Sequence, residues 1–277
     1  MERQIPDVLT ERFIKLSSKD NYLASLSPIK AKEFDRYVFA IPFYTHTDSN
    51  SLGFRAYSKG LIVGISPKPE GDLRYGFYTA YADSYVKSKG APAKEDQNTY
   101  VLGFYSSYLK KPYFVAFDLL GEATKHHYRG QTGFNFEIGE KAKYWSRKIE
   151  SKLVGGRVFS GDDWSVMPTI GVRAIWWSAN GYTTQAEVPQ WSTQVKPERR
   201  NWVSGLLELT AGKVFKGSDS DWKTSITGLV RLEHVLTDNY VAVSQGIPAL
   251  NTGFVKVKKD IGKTTLVARS GVELVHK

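Results

Sequence analysis

The sequence predicts an all-β protein, a transmembrane antiparallel β-barrel, on three observations. Apolar residues alternate with polar or small residues along most of the chain, which is the period of a β-strand with two different faces. The polar face carries charged residues where a soluble barrel or sandwich would pack its core. Most of the segments are also long enough to cross a bilayer, which takes about 9–11 residues in a tilted strand.

The segment from Leu73 to Val86 shows the alternation most clearly. One parity holds the large residues Leu73, Tyr75, Phe77 and Tyr81, and the other holds Arg74, Gly76, Tyr78, Ala80, Ala82 and Ser84. In a single strand this pattern equally fits a soluble sheet with one face in water. Its recurrence with charges on one face indicates a barrel with apolar residues facing lipid and a wet lumen.

The composition is compatible with such a barrel. Hydrophobic residues make up 41% and aromatic residues 13% of the 277 residues, and no run approaches the roughly 18 apolar residues of a membrane-spanning helix. The net charge of +10 is spread along the chain without a basic block, so we expect no nucleic-acid partner. The first residues lack the apolar segment of a signal peptide, which leaves a cytoplasmic protein or a mature fragment as alternatives.

The first 33 residues differ from the rest, and we predict two regions, a helix with its linker over 1–33 and a barrel over 34–277. Val8, Leu9, Phe13 and Leu16 have helical spacing, which predicts a helix over about residues 5–25. An amphipathic helix packed on a soluble domain would have the same spacing. If the helix lies in the lumen, its charged residues can pair with the wall: Arg12, Lys15, Lys19 and Asp20.

Eleven strands are predicted after residue 36, with Phe134–Ile138 as a possible twelfth. Their approximate bounds are 37–47, 54–66, 72–87, 99–109, 113–125, 144–159, 164–179, 202–215, 222–236, 252–258 and 264–276. Tight turns at 110–112, 160–163 and 217–220 contrast with long loops at 88–98, 126–143 and 180–200. Outer-membrane barrels connect their strands in this way, with short turns at one end and long loops at the other.

The parity of each strand predicts which charged residues face the lumen. We expect them to form salt bridges in the barrel wall that hold the helix and keep the lumen wet. Small residues on the same face, among them Gly76 and Gly103, are expected to leave room for a threaded segment. The predicted wall residues are Asp118, Glu122, Glu150, Lys152, Arg173, Glu208, Arg231, Glu233, Arg269 and Glu273.

No catalytic, cofactor or metal site is predicted. The chain has no cysteine, no phosphate-binding loop and no Gly-x-Ser-x-Gly motif. None of the five histidines forms a pair with metal-ligand spacing on one strand face, and they are interpreted as loop or interface residues.

Three segments resemble a known family, the C-terminal translocator domain of classical monomeric autotransporters (type Va secretion). The paired middle strands of that family resemble YVLGFYSSYLKKPYFVAFDLLGEATKHHYRG at 100–130. Its proline-bearing strand resembles DWSVMPTIGVRAIWWSANGY at 163–182, and the glycine-leucine strand that follows resembles NWVSGLLELTAGKVF at 201–215. The order of an N-terminal helix before a β-region of this length is also similar.

This resemblance implies a twelve-stranded monomeric barrel in the outer membrane of a Gram-negative bacterium, with the helix running through its lumen. It implies delivery of a passenger domain, attached upstream, to the cell surface, with outer-membrane lipid and the barrel assembly machinery as further partners. Some members cleave their passenger inside the barrel at an asparagine of the helix. Here Asn21 is followed by Tyr22 rather than a second asparagine, so that motif is not matched and we expect no enzyme. The chain ends in His276 and Lys277, whereas family members usually end in an aromatic residue.

Two other functions fit parts of the pattern. An outer-membrane channel or porin would share the barrel, but it has no reason to begin with a plug helix. A soluble β-sandwich that binds carbohydrate would explain the aromatic content.

Overall fold

The computed structural model describes residues 36–49, 54–67, 72–90, 92–110, 112–132, 138–161, 163–216, 222–237, 240–248, 253–260 and 263–276. The predicted helix and linker over 1–33 lie outside these residues, as do residues 134–137 of the possible twelfth strand. Within the described part of the chain, none of the helices has the length and apolar character needed to cross a membrane.

The described residues are almost entirely β-strand. The strands are β1 (Arg36–Ser49), β2 (Phe54–Pro67), β3 (Leu73–Ser88), β4 (Lys94–Lys110), β5 (Tyr113–Thr132), β6 (Ile138–Arg157), β7 (Phe159–Ser160), β8 (Trp164–Ala179), β9 (Tyr182–Thr183), β10 (Gln185–Ala186), β11 (Gln194–Val195), β12 (Glu198–Lys216), β13 (Trp222–Val235), β14 (Tyr240–Gly246), β15 (Val255–Asp260) and β16 (Thr264–His276). A 3₁₀ turn, Pro189–Trp191, lies between β10 and β11.

Ten long strands form one continuous antiparallel path, in the order β1-β2-β3-β4-β5-β6-β8-β12-β13-β16. The short strands β7 and β10 join this main sheet beside β8 and β6, which brings its strand number to twelve. A second sheet of four strands has the order β15-β14-β11-β9. The predicted antiparallel β-architecture is therefore confirmed, although the predicted strand at 252–258 belongs to the second sheet and β14 had not been predicted.

The connections segregate to the two ends of the main sheet. Because consecutive strands are antiparallel, the connections at 68–72, 111–112, 158–163 and 217–221 share one end, the turn end. The connections at 50–53, 89–93, 133–137, 180–197 and 236–263 share the other, the loop end, which also carries the second sheet. The predicted long loops at 88–98 and 126–143 were wrong, since β4 begins at Lys94 and β5 continues to Thr132.

The main sheet has two chemically different faces. In β3, burial alternates residue by residue, with Tyr78 and Ala80 buried and Phe77 and Tyr81 exposed. The same alternation exposes large apolar side chains on the other long strands, among them Leu102, Ile170, Leu207 and Leu266. We call the two sides the buried face and the exposed face. Side chains two strands apart meet on the buried face, such as Tyr78 of β3 and Asp118 of β5, so the sheet curls toward that face.

Two glycines on the buried face are covered by tyrosine rings from the neighbouring strand. Gly103 lies opposite Tyr78, and a Cβ added to Gly103 would lie 2.0 Å from the Tyr78 ring. The pair Gly76 and Tyr105 repeats the arrangement, with a Cβ at 2.6 Å from the ring. The prediction that these glycines leave room for a threaded segment was therefore wrong at both positions, because side chains of the wall itself fill the space.

Replacing Gly103 with valine is expected to lower the free energy of unfolding by about 1–3 kcal/mol, because the new side chain forces the Tyr78 ring out of its place. The displaced phenol would lose its hydrogen bond of 3.2 Å to Asp118. Urea titration in lipid vesicles measures the loss. The matched control is Gly121→Val on the exposed face, where an added Cβ has no atom within 4 Å. A loss of equal size in the control would refute the interlocking role of the glycine.

Candidate functional site: the charge network of the buried face

Charged side chains cluster on the buried face because five neighbouring strands place them at adjacent positions of the ladder. The register pairs Asp118 of β5 with Lys152 of β6, and Lys152 in turn with Arg173 of β8. It likewise pairs Glu208 of β12 with Arg231 of β13. The opposite charges of the pairs Asp118–Lys152 and Glu208–Arg231 attract each other and favour this register. Lys152 and Arg173 are two cations at directly paired positions, and each contacts a carboxylate at a neighbouring position instead, Glu208 and Glu150.

Arg173 links the two halves of the cluster. Its Nε lies 2.7 Å from Oε1 of Glu150, and its Nη1 lies 3.5 Å from Oε2 of Glu233. The arginine side chain is 2% exposed and each glutamate 1%. Glu233 is two strands away from Arg173, so the contact depends on the curl of the sheet as well as on the register.

Two further groups extend the network along the same face. Lys148 lies 2.8 Å from Glu122 and 3.5 Å from Glu150, both measured from Nζ to a carboxylate oxygen. Glu208 lies 3.8 Å from the Lys152 ammonium and 3.6 Å from the Arg231 guanidinium. We call these groups, together with Asp118, the charge network: Asp118, Glu122, Lys148, Glu150, Lys152, Arg173, Glu208, Arg231 and Glu233.

The charge network contains five carboxylates and four cations, so groups of both signs lie close together on the buried face. Taking a charge out of water is expensive unless a partner and hydrogen bonds compensate it. The mutual contacts offset that cost, and they leave a buried surface that is hydrophilic while the exposed face is apolar. The arrangement can therefore hold a polar segment or water against the buried face.

The structure brings together eight of the ten predicted wall residues. Lys148 belongs to the same cluster although it is absent from the predicted wall residues, and its parity in β6, which it shares with Glu150 and Lys152, is the signal that identifies it. Arg269 and Glu273 belong to β16, paired with Leu229 and Ser225 of β13, but their side chains lie outside the description. The helix residues Arg12, Lys15, Lys19 and Asp20 also lie outside it.

A second polar cluster lies toward the loop end of the buried face, around His126 of β5. The imidazole Nδ1 is hydrogen-bonded to Glu95, and its Nε2 lies 2.7 Å from the Ser146 hydroxyl. Gln97 and Tyr144 each donate a hydrogen bond to the same glutamate, at 2.6 and 3.0 Å. The interpretation of His126 as a loop or interface residue was wrong, because β5 extends past it and turns its ring toward the buried face.

Aromatic rings stack on this histidine and close the cluster toward the loops. The rings of His126 and Tyr144 lie 4.3 Å apart and nearly parallel, and Tyr182 stacks on the other side of Tyr144 at 4.3 Å. Burial raises the pKa of the Tyr182 phenol to about 12, so this phenol stays neutral at physiological pH. The stack joins β5 and β6 to β9, an edge strand of the second sheet at the loop end.

The order Ser146, His126 and Glu95 is that of a nucleophile, a base and an acid in hydrolytic enzymes. Catalysis also needs donors that stabilise an oxyanion beside the nucleophile. Ser146 is buried in an interior strand, and the backbone amides around it are committed to the ladders with β5 and β8. The cluster is therefore suited to fixing the strands rather than to acyl transfer. Among the described residues, no group of three or more possible metal ligands occurs.

Comparison with known proteins places this architecture in a family. The family model described as "Autotransporter beta-domain" matches residues 38–276. The translocator domain of the autotransporter NalP from Neisseria meningitidis is similar in structure, with a TM-score of 0.61 at 10% sequence identity, over 97% of this chain and 90% of that chain. The beta domain of the Bordetella autotransporter BrkA has a TM-score of 0.57 at 15% identity, over 87% of this chain and 98% of that one. No curated protein matches the chain in sequence.

The family match covers nearly all of the described sheet, and the structural similarity to two autotransporter barrels agrees with it. Apolar side chains on the exposed face and a charge network on the buried face fit a barrel in lipid. The chain belongs to the autotransporter beta-domain family, the outer-membrane barrels of Gram-negative bacteria that deliver a passenger domain to the cell surface.

Proposed function

We propose that the buried face of the main sheet is the wall of the translocation pore and that the charge network is its hydrophilic lining. The supporting observation is the inverted polarity of the sheet. Arg173, Lys148 and Glu150 are almost fully buried, whereas Leu102 and Ile170 are 69% and 68% exposed. A sheet with that polarity is stable when lipid covers its apolar face and water or a polar segment covers the other.

We further propose that residues 5–25 form a helix inside this pore. A helix carrying Arg12, Lys15, Lys19 and Asp20 would find carboxylates and cations on the wall within reach of long side chains. Residues 5–25 carry three bases and three acids, and a described network of five carboxylates and four cations offers partners to both. Such a plug would fill the pore and block ion flow after the passenger has passed.

The proposed partners follow from this role. A passenger domain would be linked covalently upstream of the helix, and the barrel assembly machinery would insert the domain as a monomer. The proposed role includes no catalysis, since the Ser146 hydroxyl is held in an interior strand and the asparagine pair of self-cleaving members is not matched. The family match disfavours the carbohydrate-binding sandwich. The porin alternative is tested by deleting the proposed pore helix, because a porin would have no such plug.

Deleting residues 1–27 is expected to raise the single-channel conductance in planar bilayers, because removal of the plug opens the pore to ions. The unfolding temperature should fall, since the cations and acids of the wall lose their partners on the helix. The barrel should still insert, because its ladders and apolar face are unchanged. The conductance is measured on single insertions, and the unfolding temperature on the same preparation in lipid.

A variant with Arg12, Lys15 and Lys19 all replaced by glutamine is the control for this deletion. It keeps a helix of the same length and removes its cations, so it should lower the unfolding temperature while leaving the conductance low. If the deletion leaves the conductance unchanged, the pore-helix proposal is wrong and a porin becomes the better description. If the glutamine variant behaves as wild type in both measurements, the pairing between helix and wall is wrong.

A further inference from the structure

The exposed face of the main sheet contains a groove that the translocator role does not use. Gly121 and Ala123 of β5 form its floor, and larger side chains from the strands on both sides form its walls. The groove has a volume of about 630 Å³. A Cβ at Gly121 would meet no atom within 4 Å, so the floor is open toward the lipid. The walls are Tyr100 and Leu102 of β4, Ile149 of β6 and Trp176 of β8. An apolar channel of this kind fits an acyl chain.

Arg147 lines the end of this groove that points toward the loops. It pairs with Ala123 of the floor, and its side chain is on the exposed face. On the same face beyond it, β4, β5 and β6 carry a dense set of cations. We call this set the cationic rim: Lys94, Lys125, Arg129, Lys141, Lys143 and Arg147.

The acids at this level are few. Among the described exposed-face positions 94–98, 125–131 and 139–147 of these three strands, Asp96 is the one carboxylate, and it pairs with Arg129 at 2.8 Å. The rest of the cationic rim therefore has an excess of positive charge. Clustered Lys and Arg side chains beside an apolar membrane-facing surface are the chemistry that recognises phosphorylated lipid headgroups.

The position of the rim identifies the leaflet. It lies at the loop end of the sheet, and outer-membrane barrels have short periplasmic turns and longer extracellular loops. Trp145 and Trp176, both exposed, stand on either side of Arg147 along the exposed face, at the level where tryptophans mark a membrane interface. The cations therefore sit at the headgroups of the extracellular leaflet, directly above the apolar groove.

We propose that this surface is a binding site for a multiply phosphorylated lipid of the extracellular leaflet. One acyl chain occupies the groove over Gly121 and Ala123, and the phosphates contact Arg147, Lys125 and Lys143. The site requires both parts of the ligand, because the groove binds an acyl chain without distinguishing headgroups and the rim binds phosphate without distinguishing lipids. Several cations around one position suit a headgroup that carries more than one phosphate.

The test is a lipid titration of the full chain in a maltoside detergent without phosphate, followed by native mass spectrometry. The probes are diphosphorylated lipid A, the same lipid with both phosphates removed, and inorganic pyrophosphate alone. We expect the diphosphorylated lipid to bind and both other probes to bind roughly a hundredfold more weakly, since one lacks the phosphates and the other the acyl chain. Pyrophosphate binding as tight as the lipid would overturn the proposal, as would equal binding of the dephosphorylated lipid.

Two variants separate the parts of the site. The triple variant K125Q/K143Q/R147Q removes three cations of the cationic rim and should weaken binding roughly a hundredfold, about fivefold for each cation. The variant G121L places a leucine side chain in the groove, where an added Cβ has no atom of the sheet within 4 Å. It should weaken lipid binding about tenfold without disturbing the barrel. The control is K110Q/K213Q at the turn end, which removes exposed cations outside the site and should bind as wild type. Wild-type affinity in the triple variant or in G121L would refute the site, and so would weakened binding in the control.

Discussion

Replacing Arg173 with methionine is expected to lower the free energy of unfolding by about 3–5 kcal/mol, because two buried carboxylates lose the cation that they share. Methionine has a similar volume but no charge, so Glu233 and Glu150 would face each other without the guanidinium between them. Arg173 contacts both carboxylates and is 2% exposed, so little water can replace it. Urea titration of the barrel in lipid vesicles measures the loss.

The matched control is Arg55→Met, which removes an arginine of the same chemistry from an exposed ion pair. Arg55 contacts Asp48 at 3.1 Å, and the two side chains are 50% and 36% exposed. Such surface pairs contribute about 0–1 kcal/mol, so the control should lose little stability. The double variant R173M/E233Q should recover part of the loss, because it removes one of the two uncompensated carboxylates. If R173M and R55M lose the same free energy of unfolding, Arg173 is surrounded by water and its proposed role as a buried ion-pair partner is wrong.

Replacing Val172 with arginine should cost about 2–4 kcal/mol of barrel stability, because an arginine near the bilayer midplane has neither water nor a partner. Val172 lies near the middle of β8 on the exposed face, between Leu153 of β6 and Gly205 of β12. Both neighbouring positions lack a carboxylate that could pair with the new cation. Urea titration in vesicles of fixed lipid composition measures this loss as well.

The structure decides which inward control is informative. Gly171 is the neighbour of opposite parity, but a Cβ there would approach the Leu153 carbonyl oxygen at 2.5 Å, so Gly171→Arg would report crowding against the backbone. Thr169 is the better choice, since it lies on the buried face directly opposite Glu208. Thr169→Arg should cost clearly less than Val172→Arg because a carboxylate is within reach. If the two variants lose equal stability, the assignment of the faces is wrong.

The fold was predictable from the sequence to the extent that it depends on local periodicity. The alternation of Tyr75, Gly76, Phe77 and Tyr78 along β3 is a period of two, and ten of the eleven predicted strands correspond to strands of the main sheet. The errors are at strand ends near the loops. Lys94 and Thr132 lie in polar stretches where alternation is weak, yet the ladder continues through them because the neighbouring strand supplies hydrogen-bond partners.

The histidine cluster could not be predicted, because its partners come from three strands. Glu95, His126 and Ser146 are separated by 31 and 20 residues, and their side chains meet only in this register of β4, β5 and β6. The sequence shows only that each is polar. The prediction that Gly103 leaves room for a threaded segment failed for a similar reason, since nothing in the sequence around Gly103 indicates that the Tyr78 ring covers it.

Which side chains share a face of each strand follows from the amino-acid order alone, because successive side chains of a strand point to opposite sides whatever the neighbouring strands are. That is sufficient to predict a barrel in lipid and to place Glu150, Arg173 and Glu233 on one side of their strands. The contact among these three side chains depends on the folded sheet, since Arg173 and Glu233 are 60 residues apart in sequence and lie two strands from each other. The ladder register sets the positions of Arg173 and Glu233 along their strands, and the curl of the sheet brings the two side chains together across the strand between them. Both the register and the curl arise from the packing of the whole sheet.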